Sequence, residues 1–307
     1  MDRMIRIGTR ESQLAVWQAS LVRDLLAQYG FSSELVYIKS EGDIDLKTPL
    51  YEMGVQGVFT RSLDAALLND RIDIAVHSMK DVPTQLAVGS TQCAVLKRAS
   101  YKDLFVYKDD ISFLNDFNSK AIIATSSIRR KAQWLHRYPN HRIENLRGNV
   151  NTRLRKVDES EWNGAIFAAA GLERIGLRPD KSIELDWMLP APAQGAIMVV
   201  CRVEDDHCIN ACKNFNDSDT ALCAKAERDF LRALLGGCST PISALAIIKD
   251  GSVGFRGNIL SPDGKQKAEV EMNCPVDDAG DLGTIAANKI LNQGGQAIVE
   301  CIRDGAK

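Results

Sequence analysis

The sequence lacks any long apolar run. Charged residues stand at positions 2, 3, 6, 10 and 11, so nothing near the amino terminus resembles the core of a signal peptide. No later segment approaches the roughly 20 apolar residues that a membrane-crossing helix needs. The sequence therefore argues against a membrane-spanning protein, and we expect a cytoplasmic one.

The chain also has little net charge. Its 38 basic and 40 acidic residues give a formal net charge of -2 over 307 residues. Such a balance argues against a protein that coats nucleic acid or a membrane through its overall charge. Any binding site for an anion must therefore be local.

Cysteine is scarce and shows no pairing pattern. The eight cysteines include no CxxC pair, so we expect reduced thiols rather than a disulfide scaffold. Cys208 and Cys212 lie near His207, but the sequence offers no second half-site for zinc. No metal site is predicted.

The length of 307 residues favours two or three domains. From residue 4 to about 200, short β-rich runs alternate with helical patterns, a rhythm typical of βαβ units. Helices are predicted over 12–28 and 59–68, where apolar residues recur at helical spacing. A polar stretch at 107–120 and a proline-rich one at 190–194 are interpreted as hinges.

The pattern changes after Asp217. A long helix is predicted over 219–235, and three strands and a final helix follow it. This part of the chain is therefore expected to form a separate α+β domain. Its predicted strands cover 243–248, 253–260 and 267–273, and its final helix lies near 281–293.

Basic residues concentrate between positions 129 and 156. Nine basic residues stand against one acidic residue, Glu144, and nine minus one gives this segment a local charge of +8. Seven of the nine are arginine, which favours bidentate binding of carboxylate or phosphate. A solvated basic face that pairs with acids elsewhere is the alternative. The nine are Arg129, Arg130, Lys131, Arg137, Arg142, Arg147, Arg153, Arg155 and Lys156.

The segment 125–130 (TSSIRR) combines helix N-cap residues with two arginines in the first predicted turn. Cations in that turn oppose the helix dipole at roughly 0.3–1 kcal/mol each. The pattern therefore predicts a bound anion, which free amides and hydroxyls at a helix start also hold. The segment 8–12 (GTRES) is a second candidate of the same kind.

The segment 77–83 (HSMKDVP) follows the apolar run IDIAV. Pro83 discourages a continuing helix, so Lys80 and Asp81 are placed in a loop at a strand exit, where α/β proteins carry their chemistry. A turn with a capping aspartate is the alternative. His77 is interpreted as a packed or hydrogen-bonded histidine.

Cys238 stands just after two glycines at the end of the predicted long helix. The two glycines have no side chains that could cover this thiol, which favours an accessible, reactive or modified group. Most cysteines are small buried hydrophobes, so a structural role stays open on this pattern.

Seven motifs, taken in order, resemble the porphobilinogen deaminase family, whose members join porphobilinogen units head to tail. The resemblance covers about the first 245 residues, and the last domain fits by position only. The motifs are RIGTRESQLAVWQA, HSMKDVP, ATSSIRR, LRGNVNTRL, AAAGLERIGL, PAQGA and LLGGCSTPIS.

This resemblance implies an α/β fold with two periplasmic-binding-protein-like lobes plus a smaller α+β C-terminal domain. The first lobe would comprise residues 1–98 and 197–214, the arginine-rich second lobe 103–193, and the third, cofactor-carrying domain 217–307. The resemblance also implies a monomer that binds the small molecule porphobilinogen and neither nucleic acid nor membrane.

The implied activity is that of a transferase with a dipyrromethane cofactor, attached by a thioether to Cys238. Four porphobilinogen molecules would be condensed onto this cofactor with loss of ammonia, and hydrolysis would release hydroxymethylbilane. Asp81 would be the catalytic acid and base, because a carboxylate can bond to pyrrole N–H groups and stabilise their developing positive charge. Each porphobilinogen carries acetate and propionate side chains, which suits an arginine-lined cleft.

The motifs also assign binding roles residue by residue. The cofactor-binding residues would be Cys238, Lys80, Ser12, Thr125, Ser126, Ser127, Arg129, Arg130, Arg147 and Gly148. The substrate-binding residues would be Arg10, Arg153, Arg174, Phe59 and Gln194.

One position departs from the family pattern. Many members carry a lysine where this chain has Gln56, within a segment, 40–59, that is interpreted as a flap over the cleft. A charged contact from this loop to a substrate carboxylate is therefore in doubt. For Phe59, stacking on a pyrrole ring and packing in the core both stay open.

Two rival functions are considered. The fold alone would allow a non-catalytic two-lobed binding protein for a small dicarboxylate or oxyanion, and the basic segment would allow a nucleic-acid module. Asp81 together with Cys238 favours the enzyme, because a pure binding protein needs neither a loop thiol nor an acid among arginines.

Overall fold

The computed structural model describes residues 3–39, 60–234 and 240–304. Its strands are β1 (Ile5–Thr9), β2 (Ser33–Tyr37), β3 (Ile74–Ser78), β4 (Ser90–Leu96), β5 (Asp103–Tyr107), β6 (Ile122–Ala124), β7 (Arg142–Glu144), β8 (Gly164–Ala168), β9 (Ser182–Glu184), β10 (Ile197–Arg202), β11 (Ile242–Lys249), β12 (Ser252–Leu260) and β13 (Lys267–Pro275). Its α-helices are α1 (Gln13–Gln28), α2 (Arg61–Leu68), α3 (Ile128–Arg137), α4 (Val150–Glu159), α5 (Ala169–Glu173), α6 (Asp206–Lys213), α7 (Ser218–Leu234), α8 (Leu282–Ile290) and α9 (Gln296–Asp304).

The first sheet has the strand order β2-β1-β3-β10-β4. β1 pairs in parallel with β2 and β3, whereas β10 runs antiparallel to β3 and β4. Because β10 follows the strands of the second sheet in sequence, the chain leaves this lobe after β4 and later returns to it.

The second sheet has the order β7-β6-β8-β5-β9. β6 pairs in parallel with β7 and β8, and β5 runs antiparallel to β8 and β9. Both sheets therefore place one antiparallel strand among parallel strands. The α/β fold class predicted from the sequence is confirmed.

Helices cover both faces of the first sheet. Ile74 and Val76 of β3 share a buried cluster with apolar residues of α1 and α6, whereas Ala75 shares one with α2. Side chains of a strand alternate between faces, so a strand that is covered on both sides reads as a continuous apolar run. Each fully buried aliphatic side chain contributes roughly 1.5–3 kcal/mol.

The third domain is an antiparallel sheet, β11-β12-β13, packed against α7 and α8. Phe230 of α7 meets Phe255 of β12 with ring centroids 5.3 Å apart. The three strands predicted here are confirmed, each within two residues at its ends. The predicted final helix is α8, and a bend at Gly294, whose φ is +100°, separates it from α9.

Two linking segments, 97–102 and 190–196, join the lobes. The stretch 107–120, interpreted above as a hinge, is instead the connection between β5 and β6 inside the second sheet, so that prediction was wrong. A polar surface loop and a linker have the same composition, and only the strand pairing distinguishes them.

Helix α7 holds both linking segments through one buried carboxylate. Glu227 accepts hydrogen bonds from the Arg98 guanidinium at 2.7 Å on each oxygen. It also accepts from the backbone N–H groups of Ala193 at 2.6 Å and Ala246 at 2.7 Å. One side chain therefore fastens both linking segments to the third domain.

The third domain also contacts α3. Gln133 donates to the Ser243 hydroxyl at 3.1 Å, and His136 Nδ1 lies 2.8 Å from the Gly264 carbonyl oxygen. Gly264 has φ +75°, and a Cβ there would lie 2.6 Å from the Ala132 carbonyl oxygen. This close approach requires glycine. The helices within 3–39, 60–234 and 240–304 do not include one with the length and apolar composition of a membrane span.

Candidate active site

The carboxyl ends of the parallel strands lie at one edge of each lobe sheet. In the first lobe, β1 leads into 10–12 and β3 into 79–81. In the second lobe, β6 leads into 125–127 and β7 into 145–149. Open α/β sheets bind ligands at such edges, and most of the predicted site residues fall in these four segments.

Asp81 lies in a one-turn 3-10 helix, Met79–Asp81, directly after β3. Met79 and Val82 are each 2% exposed and belong to the core of the first lobe. The backbone on both sides of Asp81 is therefore anchored, while the Asp81 side chain is exposed. The strand-exit position predicted for this residue is confirmed.

Lys80 is half-buried in the same turn. Burial lowers the pKa of its ammonium to about 8; Arg130 and Arg129 act in the same direction, and Asp81 and Asp103 oppose them. An anion brought close to this group would favour its charged form. Lys80 is therefore suited to hold a carboxylate.

The start of α3 follows the predicted capping pattern. Ser127 is the N-cap residue, and its hydroxyl accepts from the Arg130 amide at 3.5 Å. The Thr125 hydroxyl accepts from the Ser127 amide at 3.2 Å, and the Ser126 hydroxyl donates to the Leu146 carbonyl at 2.7 Å. The three predicted hydroxyls therefore surround this helix start, and Ser126 joins it to the loop after β7.

An internal carboxylate partners the two arginines of this first turn. Asp103, which is fully buried at the start of β5, accepts from Arg129 Nη2 at 2.8 Å on one oxygen. Its other oxygen accepts from Arg130 Nη2 at 2.7 Å and Nε at 3.1 Å. Arg129 also donates to the Leu189 carbonyl, and Arg130 to the Ile166 carbonyl.

This pairing corrects one step of the sequence argument. From the sequence, the two arginines in the first turn predict a bound anion, but the chain itself supplies Asp103, 26 residues before Arg129 in sequence, as their partner. A local pattern cannot show such a partner. The cofactor-binding roles of Arg129 and Arg130 stay predictions, and both side chains are buried here.

The rest of the basic segment divides into two groups. Arg142 and Arg155 are 73% and 68% exposed and pair with Glu144 and Glu159, as the alternative of a solvated face proposes. Arg147 is buried at the site edge. The charge concentration is therefore partly a surface feature and partly a feature of the cleft.

Gly148 and Arg153 shape the entrance to α4. Gly148 adopts φ +114°, a backbone conformation that favours glycine, just before the N-cap residue Asn149. Arg153 Nε donates to the Gly148 carbonyl at 2.7 Å. This bond directs the arginine stem back toward the strand edge, where its guanidinium can meet a ligand.

Charged groups from both lobes act on Arg153. Burial, followed by Arg130 and Arg147 of its own lobe and by Arg10 of the other, lowers the pKa of Arg153 to about 10, and Asp81 opposes them. Arg10 and Asp81 of the first lobe are therefore close enough to Arg153 of the second to influence it, and among the described groups that act on Arg153 cations outnumber carboxylates. A bound carboxylate would relieve this repulsion.

Direct contacts also cross from α1 to the second lobe. Asn151 Nδ2 donates to Gln13 Oε1 at 3.0 Å, one residue beyond Ser12, which is the N-cap of α1. The Arg174 guanidinium lies 5.7 Å from the ring centroid of Trp17 and donates to the Gly195 carbonyl at 2.7 Å. Ser12 and Arg174 therefore lie where the lobes meet.

Gln194 is placed differently from the other predicted site residues. It is 1% exposed, and its Nε2 donates to the Tyr101 carbonyl at 2.8 Å and to Asp103 Oδ1 at 2.9 Å. In this structure the side chain joins the two linking segments. Its predicted contact with substrate stays a prediction.

Three predicted residues, Cys238, Phe59 and Gln56, lie outside the described residues, as does the segment 40–59. Sequence reasoning also missed Asp103. The only signal for it was an acid immediately before the apolar run LFVY, which is also common at ordinary strand starts.

Within the described ranges, no group of three or more histidine, cysteine, aspartate or glutamate side chains is arranged to hold a metal ion. Cys208 and Cys212 are buried in the core of the first lobe. The Cys208 thiol accepts from the Arg3 guanidinium at 3.2 Å. These cysteines therefore serve packing.

Two family models match the chain. Residues 5–210 match the model described as "Porphobilinogen deaminase, dipyromethane cofactor binding domain", and residues 221–292 match "Porphobilinogen deaminase, C-terminal domain". Together they cover both lobes and most of the third domain.

Curated relatives match over nearly the full length. A porphobilinogen deaminase of Pelobacter propionicus is 39% identical over 302 residues, covering 97% of each chain. One from Trichlorobacter lovleyi is 40% identical, covering 97% of this chain and 96% of the relative. A chloroplastic one from rice is 43% identical over 284 residues, covering 89% of this chain and 79% of the relative.

Solved structures with lower similarity include the methionine-binding protein MetQ. It is 16% identical and covers 73% of this chain and 94% of its own, with a TM-score of 0.45. An ancestral cationic amino acid solute-binding protein is 14% identical and covers 69% and 87%, with a TM-score of 0.43.

Proposed function

The chain belongs to the porphobilinogen deaminase family, and from that premise we propose how its own residues condense porphobilinogen. Its activity is that of a hydroxymethylbilane synthase, an enzyme of tetrapyrrole biosynthesis with a dipyrromethane cofactor. The rival function of a non-catalytic binding protein is therefore set aside. The stepwise addition of four units and the hydrolytic release are part of the proposal.

The observation that carries the residue assignments is the exposed carboxylate of Asp81 among cations of both lobes. Arg10 and Lys80 come from the first lobe, and Arg147 and Arg153 from the second. A carboxylate-rich substrate is drawn to such a cluster, whereas the exposed carboxylate of Asp81 can approach the pyrrole N–H groups.

The donors around the cleft fit a dipyrromethane. Its acetate and propionate groups require cations and N–H donors. Lys80 presents a cation at the edge of the first sheet, and Arg147 and the start of α3 present donors at the edge of the second. The lowered pKa of Lys80 reflects a buried ammonium that an anion would stabilise. When bound, this cofactor supplies the nucleophilic pyrrole carbon to which the first substrate is joined.

The chain's own cations divide into two groups in this proposal. Lys80, Arg147 and the hydroxyls of 125–127 hold carboxylates of the cofactor, with Ser12 and Gly148 at the same edges. Arg10, Arg153 and Arg174 orient the incoming porphobilinogen. Asp103 already engages Arg129 and Arg130, so they contribute their remaining N–H donors rather than two free charges.

Asp81 acts at its carboxylate oxygens. It accepts hydrogen bonds from pyrrole N–H groups, stabilises the positive charge that develops as ammonia leaves, and receives the proton lost from the pyrrole carbon. The anchored turn keeps the carboxylate in place during these steps, because Met79 and Val82 are held in the core.

We further propose the division into domains at 1–98 plus 197–214, 103–193 and 217–307, and a cytoplasmic monomer. The membership of β10 in the first sheet supports the first boundary. The seven described cysteines are free thiols, which suits a reducing compartment. Sedimentation of the purified protein tests the monomer.

Two pairs of variants test these assignments. Asp81→Asn should lower turnover at least about 10²-fold, the low end of acid–base contributions, whereas Asp109→Asn, at an exposed position of the second lobe, should change it by less than about twofold. Cys238→Ser should lack the dipyrromethane mass and be inactive. Cys301→Ser, at an exposed thiol, should retain both mass and activity.

The readouts are intact mass, the colour reaction with Ehrlich's reagent and turnover of porphobilinogen. Near-normal turnover of Asp81→Asn would remove this residue from the mechanism. A dipyrromethane adduct that persists in Cys238→Ser would overturn the attachment site.

A further inference from the structure

Arg228 lies on α7, in the third domain, and reaches into the first lobe. Its Nη1 donates to the carbonyls of Met79 at 3.3 Å and Val82 at 2.8 Å, and its Nη2 donates to the Pro83 carbonyl at 2.6 Å. These three carbonyls stand before and after Lys80 and Asp81 in the chain. The guanidinium therefore forms hydrogen bonds with the backbone on both sides of the proposed acid, Asp81.

Two backbone hydrogen bonds hold this turn. The Val82 amide donates to the Met79 carbonyl at 3.2 Å, and the Met79 amide donates to the Ala196 carbonyl at 3.0 Å. Pro83 has no N–H to donate. The contacts with Arg228 therefore add three charge-assisted bonds to a single helical turn, and such bonds are stronger than neutral ones.

We propose that Arg228 is a positioning residue of the reaction: it fixes the turn 79–83 and so sets where the Asp81 carboxylate stands in the cleft. The proposal rests on the catalytic role proposed for Asp81. Arg228 itself touches backbone carbonyls of the turn, and it acts through them.

The helix that carries Arg228 is itself held in place. The preceding residue, Glu227, joins α7 to Arg98 and Ala193 in the two linking segments. The same helix ends at Leu234, four residues before Cys238 in sequence. One rigid helix therefore grips the acid-bearing turn and leads into the segment with the proposed attachment thiol.

An arginine is suited to this task in a way that lysine is not. The planar guanidinium directs separate N–H groups at separate acceptors, whereas an ammonium is a compact point charge. Arg228→Lys should therefore keep the charge but lose some of the hydrogen bonds to the turn, and Arg228→Met should lose both the charge and the hydrogen bonds.

The test compares Arg228→Met and Arg228→Lys with Arg232→Met, which lies four residues further along the same helix and pairs only with Asp229 among the described residues. Arg228→Met should lower kcat by about tenfold to hundredfold, the range that misplacement by about 1 Å produces. KM should change by less than about threefold, because the binding arginines are untouched. Arg228→Lys should show a smaller loss of kcat, and Arg232→Met none.

Each variant is first checked for cofactor content by intact mass and for folding by thermal unfolding. If Arg228→Met does not fold, the decision rests on Arg228→Lys, which retains charge and stem. Unchanged kcat in a folded Arg228 variant, or a rise in KM without loss of kcat, would overturn the proposal.

A double-mutant cycle separates this proposal from the one for Asp81. If Arg228 acts through Asp81, Arg228→Met should cost much less in single-turnover rate when Asp81 is already asparagine. An equal loss in both backgrounds would show that Arg228 acts elsewhere. If Asp81→Asn alone is near normal, the catalytic assignment fails by itself, whatever the Arg228 variants do.

Discussion

Replacing Asp103 by asparagine tests whether this buried carboxylate holds the arginine pair of α3. The carboxylate is fully buried and accepts bonds from Arg129, Arg130 and Gln194. Asparagine has nearly the same size, but its amide nitrogen is a hydrogen-bond donor. One of the two guanidinium groups would therefore face another donor where it now meets a carboxylate oxygen. Two buried cations would then lack their shared counter-charge.

The expected magnitude follows from this geometry. Removing one partner of a buried ion pair destabilises a protein by about 3–5 kcal/mol, because the remaining charge stays buried. At roughly 2–4 °C per kcal/mol, Tm should fall by about 10 °C. The matched control is Asp186→Asn, whose carboxylate is 75% exposed and pairs with Lys102. An exposed pair contributes only about 0–1 kcal/mol, so Tm should change by less than about 4 °C.

The pH dependence gives a second measurement. Burial alone would raise the pKa of Asp103, but Arg129 and Arg130 hold it down to about 2. This is below the ordinary value of about 3.9, so the carboxylate stabilises the fold above pH 4 and loses that effect as the pH falls toward 2. The stability difference between wild type and Asp103→Asn should therefore shrink in acid. If Asp103→Asn has the same Tm as the control Asp186→Asn at pH 7, the reasoning is refuted.

Three further predictions follow from other contacts. In the cofactor-free Cys238→Ser variant, the labelling of Lys80 by an amine reagent should be half-maximal near pH 8, because burial lowers the pKa of Lys80 and so favours the neutral amine. Peptide mass mapping measures the labelling, and half-maximal labelling only near pH 10 would contradict the prediction. Glu227→Gln should destabilise the protein by about 3–5 kcal/mol in urea unfolding, because it leaves the Arg98 guanidinium buried without its carboxylate. Gly264→Ala should lower Tm more than Gly251→Ala: both sites have positive φ, but only the first has a backbone oxygen 2.6 Å from the new Cβ. Equal Tm values for Gly264→Ala and Gly251→Ala would show that the backbone moves to relieve the close contact at residue 264.

Local signals in the sequence predicted local features of the fold. The run IDIAV and Pro83 placed β3 and the turn after it. The hydroxyl residues 125–127 placed the start of α3, and the structure identifies Ser127 as its cap. None of the β-rich runs noted between residue 4 and about 200 covers β9, because three residues at a sheet edge carry no periodicity. α9 was missed because Gly294 and Gly295 interrupt the helical pattern.

Long-range partners were beyond these signals. The basic segment predicted a concentration of arginine, but whether each arginine faces solvent, an internal acid or the cleft depends on residues far away in sequence. Asp103, which engages Arg129, lies 26 residues before it in sequence. Arg228 is a similar case, since nothing near it in sequence indicates that it reaches the turn at 79–83.

The chain passes between the lobes twice, and this limits how the lobes can move. A lobe that is joined to the other by two linking segments cannot rotate in every direction. It rotates about the line that joins the two points of attachment. Here both points are fastened to Glu227, through Arg98 and Ala193. Motion with one degree of freedom displaces atoms near its axis least, so the contacts of Gln194 with Tyr101 and Asp103 should persist, whereas the Asn151–Gln13 contact at the junction of α4 and α1 should part first as the cleft widens.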